Sequence, residues 1–181
     1  MDKTAKVEVV SGDSQLNATL IGGQLEGPAR VTESGRPQAV LSYSQGTLEG
    51  PMVIYHPNGQ PSARLNFHKE KLDGQAVFHN PQGALIREAQ YRAGLLHGQV
   101  LSYFEDGTLA SREHYQQGQL QGLYQRFHGN GQLAARIEYD KGQPLDGSQS
   151  YAADGRPLEA SGKPMARWKA WWLKWRQPPE A

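Results

Sequence analysis

An aromatic residue recurs every 24 positions, at Tyr43, Phe67, Tyr91, Tyr115 and Tyr139, and this period constrains the fold more than any other property of the chain. Seven residues after each aromatic stands the glycine of a Leu-x-Gly triplet: Leu48-Gly50, Leu72-Gly74, Leu96-Gly98, Leu120-Gly122 and, after one inserted residue, Leu145-Gly147. Leu25-Gly27 forms another triplet upstream. A second glycine follows each triplet in a turn-like setting, at Ser34-Gly35, Asn58-Gly59, Gln82-Gly83, Asp106-Gly107, Asn130-Gly131 and Asp154-Gly155. Two such punctuation points divide each period into two short elements. Arrays of this kind bury their core between neighbouring repeats and present a continuous face, so the expected role is recognition rather than chemistry.

Within one period, Pro51 to Tyr55 alternates, His56-Pro57-Asn58-Gly59 turns, and a second alternating segment runs to Phe67. Asn-Gly and Asp-Gly are the expected source of the positive φ that tight hairpin turns need. Leu72-Asp73-Gly74 then reverses the chain again, and the result is an antiparallel meander. Side-chain alternation places Pro61, Ala63, Leu65 and Phe67 on one face. The same face carries Leu85, Arg87, Ala89 and Tyr91; Leu109, Ser111, Glu113 and Tyr115; and Leu133, Ala135, Ile137 and Tyr139. Charged and amide residues such as Arg64, Glu88, Arg112 and Arg136 take the other face. A second aromatic row is expected at Tyr55, Phe78, Tyr103, Phe127 and Tyr151. Each second-strand aromatic should face a Leu-x-Gly glycine, whose missing side chain leaves room for the ring.

Composition removes several classes of function. Net charge is +1, so no global field draws nucleic acid or anionic lipid. Cysteine is absent, which excludes disulfides, thiolate metal sites and a Cys nucleophile. The chain has no stretch apolar enough to span a bilayer. Cytoplasmic location follows at face value, and a periplasmic one if Met1 stands where an export signal was removed.

Gly46-Thr-Leu-Glu-Gly50 leading to Tyr55-His-Pro-Asn-Gly59 resembles the MORN repeat, as do Gly118-Gln-Leu-Gln-Gly122 and Phe127-His-Gly-Asn-Gly131. The resemblance spans about residues 23 to 155 and is nearest to the bacterial variants in YwqK-type antitoxin and immunity proteins. Glu70 replaces the first glycine of its repeat, and Gly142 to Gly147 carries an insertion. The resemblance implies an all-β, elongated, single-layer antiparallel meander whose groove binds a partner without catalysis. For the bacterial relatives that partner is a cognate toxin, including secreted phospholipase-type effectors; eukaryotic MORN proteins suggest a membrane-associated scaffold instead.

The expected partner-binding residues are Tyr55, Arg87, Tyr91, Tyr103, Glu113, Tyr115 and Tyr139, because aromatic and arginine side chains dominate protein interfaces. Arg87 and Glu113 interrupt an apolar face, so they must pair internally or meet a partner. His56, His79 and His128 follow aromatics, but equivalent positions two strands apart cannot share an ion, so no metal is expected. The chain shows no nucleophile-base pattern and no phosphate loop; it is expected to be no enzyme and to use no cofactor. After Gly155 the period stops. Trp168, Trp171, Trp172 and Trp175 fall at helical spacing with basic flanks, predicting a short helix that caps the last strand and the apolar face, or else contacts a partner or lipid. The organisation read from the sequence is an N-terminal strand or cap over 1–22, the array over 23–160 and the Trp-rich helix and tail over 161–181. The functional expectation is an immunity protein or antitoxin that occludes a cognate toxin sterically, with a membrane-associated scaffold as the alternative.

Overall fold

In the computed structural model the described residues run from Lys3 to Arg176, with side chains from Lys3 to Trp171. Among them are 18 strands in one open antiparallel sheet and a single helix, Arg167–Arg176. Each strand pairs with its neighbours along the chain, from Thr4–Ser11 at one end to Gln149–Ser150 at the other. Residues before the periodic region belong to the same sheet, since Ser14–Ile21 pairs with both Thr4–Ser11 and Gly27–Glu33.

Several strands are two-residue pieces, such as Thr47–Leu48 and Lys71–Leu72, cut off from Gly50–Tyr55 and Gly74–His79 by one residue. The interruption is the Leu-x-Gly triplet. Its glycine holds a positive φ, +89° at Gly50, +95° at Gly74 and +97° at Gly98, and the chain bulges there. Each glycine does face the following aromatic, as in Gly50↔Phe67, Gly74↔Tyr91, Gly98↔Tyr115 and Gly122↔Tyr139. The reason for glycine differs from the expected one. A Cβ at Gly50 would meet Ser42 at 3.6 Å and one at Gly98 would meet Gln90 at 3.5 Å, both ordinary contacts and neither with the ring. Backbone conformation, not room for an aromatic, demands the glycine.

The two margins use different turns. At Asn58-Gly59 only the glycine is left-handed; the Gly59 N–H donates to the His56 carbonyl (2.8 Å) while the Asn58 carboxamide oxygen accepts from the Gln60 N–H (3.0 Å). At the opposite margin, Gln45-Gly46, Ala93-Gly94, Gln117-Gly118 and Lys141-Gly142 are turns with both residues left-handed, a conformation that Ser34-Gly35 adopts on the first margin. Lys69 and Glu70 adopt the same pair of conformations with no glycine (φ +48° and +64°). The x residue of four of the six triplets stitches this margin together. Glu26, Glu49, Asp73 and Gln121 accept from the backbone N–H of Gln45, Lys69, Ala93 and Lys141, each in the next repeat, at 2.8–3.0 Å. Glu49 also accepts from His68 Nδ1 (2.8 Å), and the Lys69 amide followed by His68 holds its carboxyl below the usual range.

One residue of slippage changes the expected faces. Ile54 faces Ala63 but Tyr55 faces Pro61, so Ser62 is an extra residue in a bulge; Ile86, Ala110 and Ala134 repeat the pattern. Across a bulge the alternation restarts. Pro61, Leu85, Leu109 and Leu133 therefore leave the aromatic face they were expected to share. Phe78 moves the other way: it faces Ala63 and Arg87, at the position of Ile54, while His79 stands where Tyr55 and Tyr103 stand in their repeats.

The core is a row of small residues within one face. Ala18, Ala29, Ala63, Ala76, Ala89, Val100 and Ser111 are buried on it, Ala134 is buried at its bulge, and Val100 is the largest side chain fully buried. A sheet with no covering layer buries only what its longer neighbours can close over, as Ala63 lies between Ile54 and Phe78.

The helix sits on the face opposite the aromatic rings. Arg167, Ala170 and Trp171 share a cleft of about 850 Å³ with Arg136, Glu138 and Tyr151. Arg136 and Glu138 are solvated-face residues, so the helix does not cover the apolar face as expected. Trp168 and Trp171 remain 72% and 63% exposed. The Trp172 and Trp175 side chains lie outside the described residues.

Candidate recognition surface

Five of the seven expected partner-binding residues share the aromatic face. Tyr91, Tyr115 and Tyr139 occupy one row, each half-buried between a Leu-x-Gly glycine on one side and Leu96, Leu120 or Pro144 on the other. Arg87 and Glu113 lie deeper on the same face. Tyr55 and Tyr103 do not: alternation puts them on the reverse, where the Tyr103 hydroxyl donates to Glu88 Oε2 (2.8 Å). Burial, then that carboxylate, raises the Tyr103 pKa.

Glu113 and Arg87 resolve differently. Glu113 accepts from Ser111 Oγ (3.0 Å) and from the Tyr115 hydroxyl (2.8 Å), both two residues away on its own strand and hence on the same side. Its charge is satisfied internally. Arg87 has no hydrogen bond or ion pair among the described residues, although it is half-buried. Its cross-strand neighbour is Ser102, followed by Ser111 and then Arg126, an exposed cation on the far side. Two arginines therefore bracket the hydroxyls of Ser102 and Ser111.

Tyr124 and Arg126 were missed by sequence reasoning. Tyr124 faces Ile137, and its ring meets that of Tyr139 edge to face, with centroids 6.1 Å apart and planes at 78°. Both could have been found by carrying the parity of Tyr139 across its pairing with Gly122. The Tyr124 pKa is raised by burial and then by Glu113, with Arg126 opposing.

Tyr115 carries the largest perturbation. Burial first, then the hydrogen bond and charge of Glu113, push its pKa up to about 12, with Arg87 pulling the other way. A phenol whose folded pKa is raised contributes stability below its unfolded pKa, about 10. That contribution disappears as pH rises through about 12. Solvent reaches the ring and screens the interaction, so the expected loss is about 1 kcal/mol. Ultraviolet difference titration should show Tyr115 as the latest tyrosine, beyond the also raised Tyr103 and Tyr124, and Glu113→Gln should return it toward the ordinary range. An unchanged late tyrosine in that variant would disprove the pairing.

The histidines serve the turns. Nε2 of His56 donates to the His79 carbonyl and Nε2 of His128 to the Tyr151 carbonyl, both at 2.9 Å. Asn58 and Asn130 donate in the same direction, to the Pro81 and Ala153 carbonyls. Among the described residues no three His, Asp or Glu side chains gather in a metal-sized cluster.

The fold is thus a one-layer repeat sheet with a half-buried aromatic face. Residues 48–69, 96–117 and 120–141 each match the family described as MORN repeat variant. Over these three stretches the chain is similar to MORN repeat variants. No curated protein matches it.

Proposed function

We propose that the chain is a non-enzymatic protein-binding module that acts through the aromatic face. The observation that carries this reading is Arg87: a half-buried guanidinium without an internal acceptor, on a face that also presents Tyr91, Tyr115 and Tyr139. Such a charge persists where a partner's carboxylate or carbonyl completes it. Tyrosine rings around it supply contact area at small entropic cost. With the resemblance to bacterial antitoxin and immunity proteins, the best-supported role is steric occlusion of a cognate toxin by this face.

Affinity capture from the cells of origin, followed by co-expression with the captured protein, tests the proposal. One stoichiometric partner should appear, its toxicity should be relieved by the wild-type chain, and Arg87→Ala with Tyr91→Ala should weaken binding about tenfold or more while the circular dichroism of the sheet persists. A partner held equally well by the double variant would place recognition elsewhere.

A second reading, a membrane-associated scaffold, draws on the exposed Trp168 and Trp171 beside Arg167 and Lys169. No helix among the described residues is long and apolar enough to cross a membrane, so contact would be interfacial. Co-sedimentation with anionic liposomes, lost on truncation after residue 162, would favour it.

A further inference from the structure

We infer that two copies of this chain join edge to edge through the strand Thr4–Ser11, in an antiparallel pairing centred on Val7. This strand pairs with Ser14–Ile21 in an unbroken register of eight residue pairs and, among the described residues, with nothing on its other side. Every residue along it except Val7 is exposed, with Val9 at 51% and Val10 at 64%. An open edge this long is normally blunted by a proline, a bulge or charged side chains. Thr4–Ser11 has no proline and no bulge, and its charges, Lys6 and Glu8, are of opposite sign and two residues apart.

Backbone alternation decides which groups are available. The two-residue turn at Gly12-Asp13 makes Ser11 and Ser14 a hydrogen-bonded pair, and at the other end the Gly22 N–H donates to the Lys3 carbonyl (3.3 Å). Lys3, Ala5, Val7, Val9 and Ser11 therefore bond inward. Thr4, Lys6, Glu8 and Val10 turn their N–H and C=O groups outward.

The segment Lys6-Val7-Glu8 is complementary to itself. With Val7 on the two-fold axis, Lys6 lies opposite the second copy's Glu8, and Thr4 opposite its Val10, in the outward-bonding positions. About eight backbone hydrogen bonds form across the axis. Ala5, Val7 and Val9 meet Val9, Val7 and Ala5 on the aromatic face, so that face continues from one copy into the other. Neighbouring registers are worse. Centring on Lys6 or on Glu8 sets like charges face to face, and a half-step shift opposes bonding groups to non-bonding ones. The groups nearest the ion pairs are the Gln15 side chain, which donates to Glu8 Oε1, and Asn17 and Thr19, which face Glu8 and Lys6 across the hairpin. None of them is a charge.

Sedimentation of the full chain over a concentration series tests this directly. Wild type should dimerise; Lys6→Glu and Glu8→Lys should each weaken the dimer roughly tenfold or more, because each places two like-charged pairs across the axis. The combined swap should restore it. The chain has no cysteine, so Val7→Cys is a clean probe. Its two Cα atoms would lie about 4.5 Å apart, within disulfide range. Oxidation should cross-link Val7→Cys and leave Val10→Cys, which faces Thr4, uncross-linked. A wild-type chain that stays monomeric at every concentration would overturn the inference, as would single variants that dimerise unchanged or a Val10→Cys that cross-links equally. Circular dichroism of each variant checks that the sheet is intact.

Discussion

Val100→Asp is expected to cost more than about 4 kcal/mol and to unfold the central repeats. Val100 has no exposed surface and sits between Ala89 on one strand and Glu113 on the next. An aspartate there would bring a second carboxylate beside Glu113, whose side-chain donors among the described residues, Ser111 and Tyr115, are already engaged. No water reaches the position to solvate the charge. Val100→Ala removes volume without adding charge and should cost about 2 kcal/mol. Urea unfolding followed by circular dichroism measures both. Hydrogen exchange would show the loss spreading into Leu85–Arg92 and Leu109–Gln116, because each repeat is held by its neighbours. An aspartate tolerated within 1 kcal/mol of wild type would mean that the row of small residues is not the core.

Gly98→Val is expected to cost about 2 to 3 kcal/mol for a different reason. Gly98 has a φ of +97° inside the otherwise regular strand Leu95–Tyr103. A Cβ there meets Gln90 at 3.5 Å, which packing tolerates. The penalty is therefore conformational, and the β branch makes it larger than for alanine, for which about 1 to 2 kcal/mol is expected. Comparing the alanine and valine variants by chemical unfolding separates strain from crowding. Equal and small losses would show that the bulge can relax to negative φ and that the triplet glycine is dispensable.

The period carried a large part of the fold in plain view. The 24-residue spacing announced hairpins, and the pairing of each aromatic with a triplet glycine followed from counting along two strands. What counting could not reveal was the extra residue at Ser62, Ile86, Ala110 and Ala134. A bulge leaves the residue total of a repeat unchanged and yet reverses which side the preceding residues face. Leu109 was read as a neighbour of Tyr115 for that reason, and Tyr103 was read into a surface that it does not share. Phe78 shows the reverse error: an aromatic one position out of phase was taken as equivalent to Tyr55, and only the pairing of Phe78 with Arg87 and Ala63 shows that it belongs with the rings of the other face.

By itself the sequence determined the repeat length, the antiparallel connectivity and the choice of glycine at the triplets, because these depend on local backbone preferences and on distances along the chain. Tertiary structure decided which turn takes which conformation, which aromatics share a face, and that Glu113 is satisfied while Arg87 is not. It also decided that the C-terminal helix lies over the polar face, beside Arg136 and Glu138. Those outcomes depend on register between strands and on hydrogen bonds formed across them, such as the reach of Glu49 to the next repeat's backbone. A period of 24 residues repeats them without spelling them out.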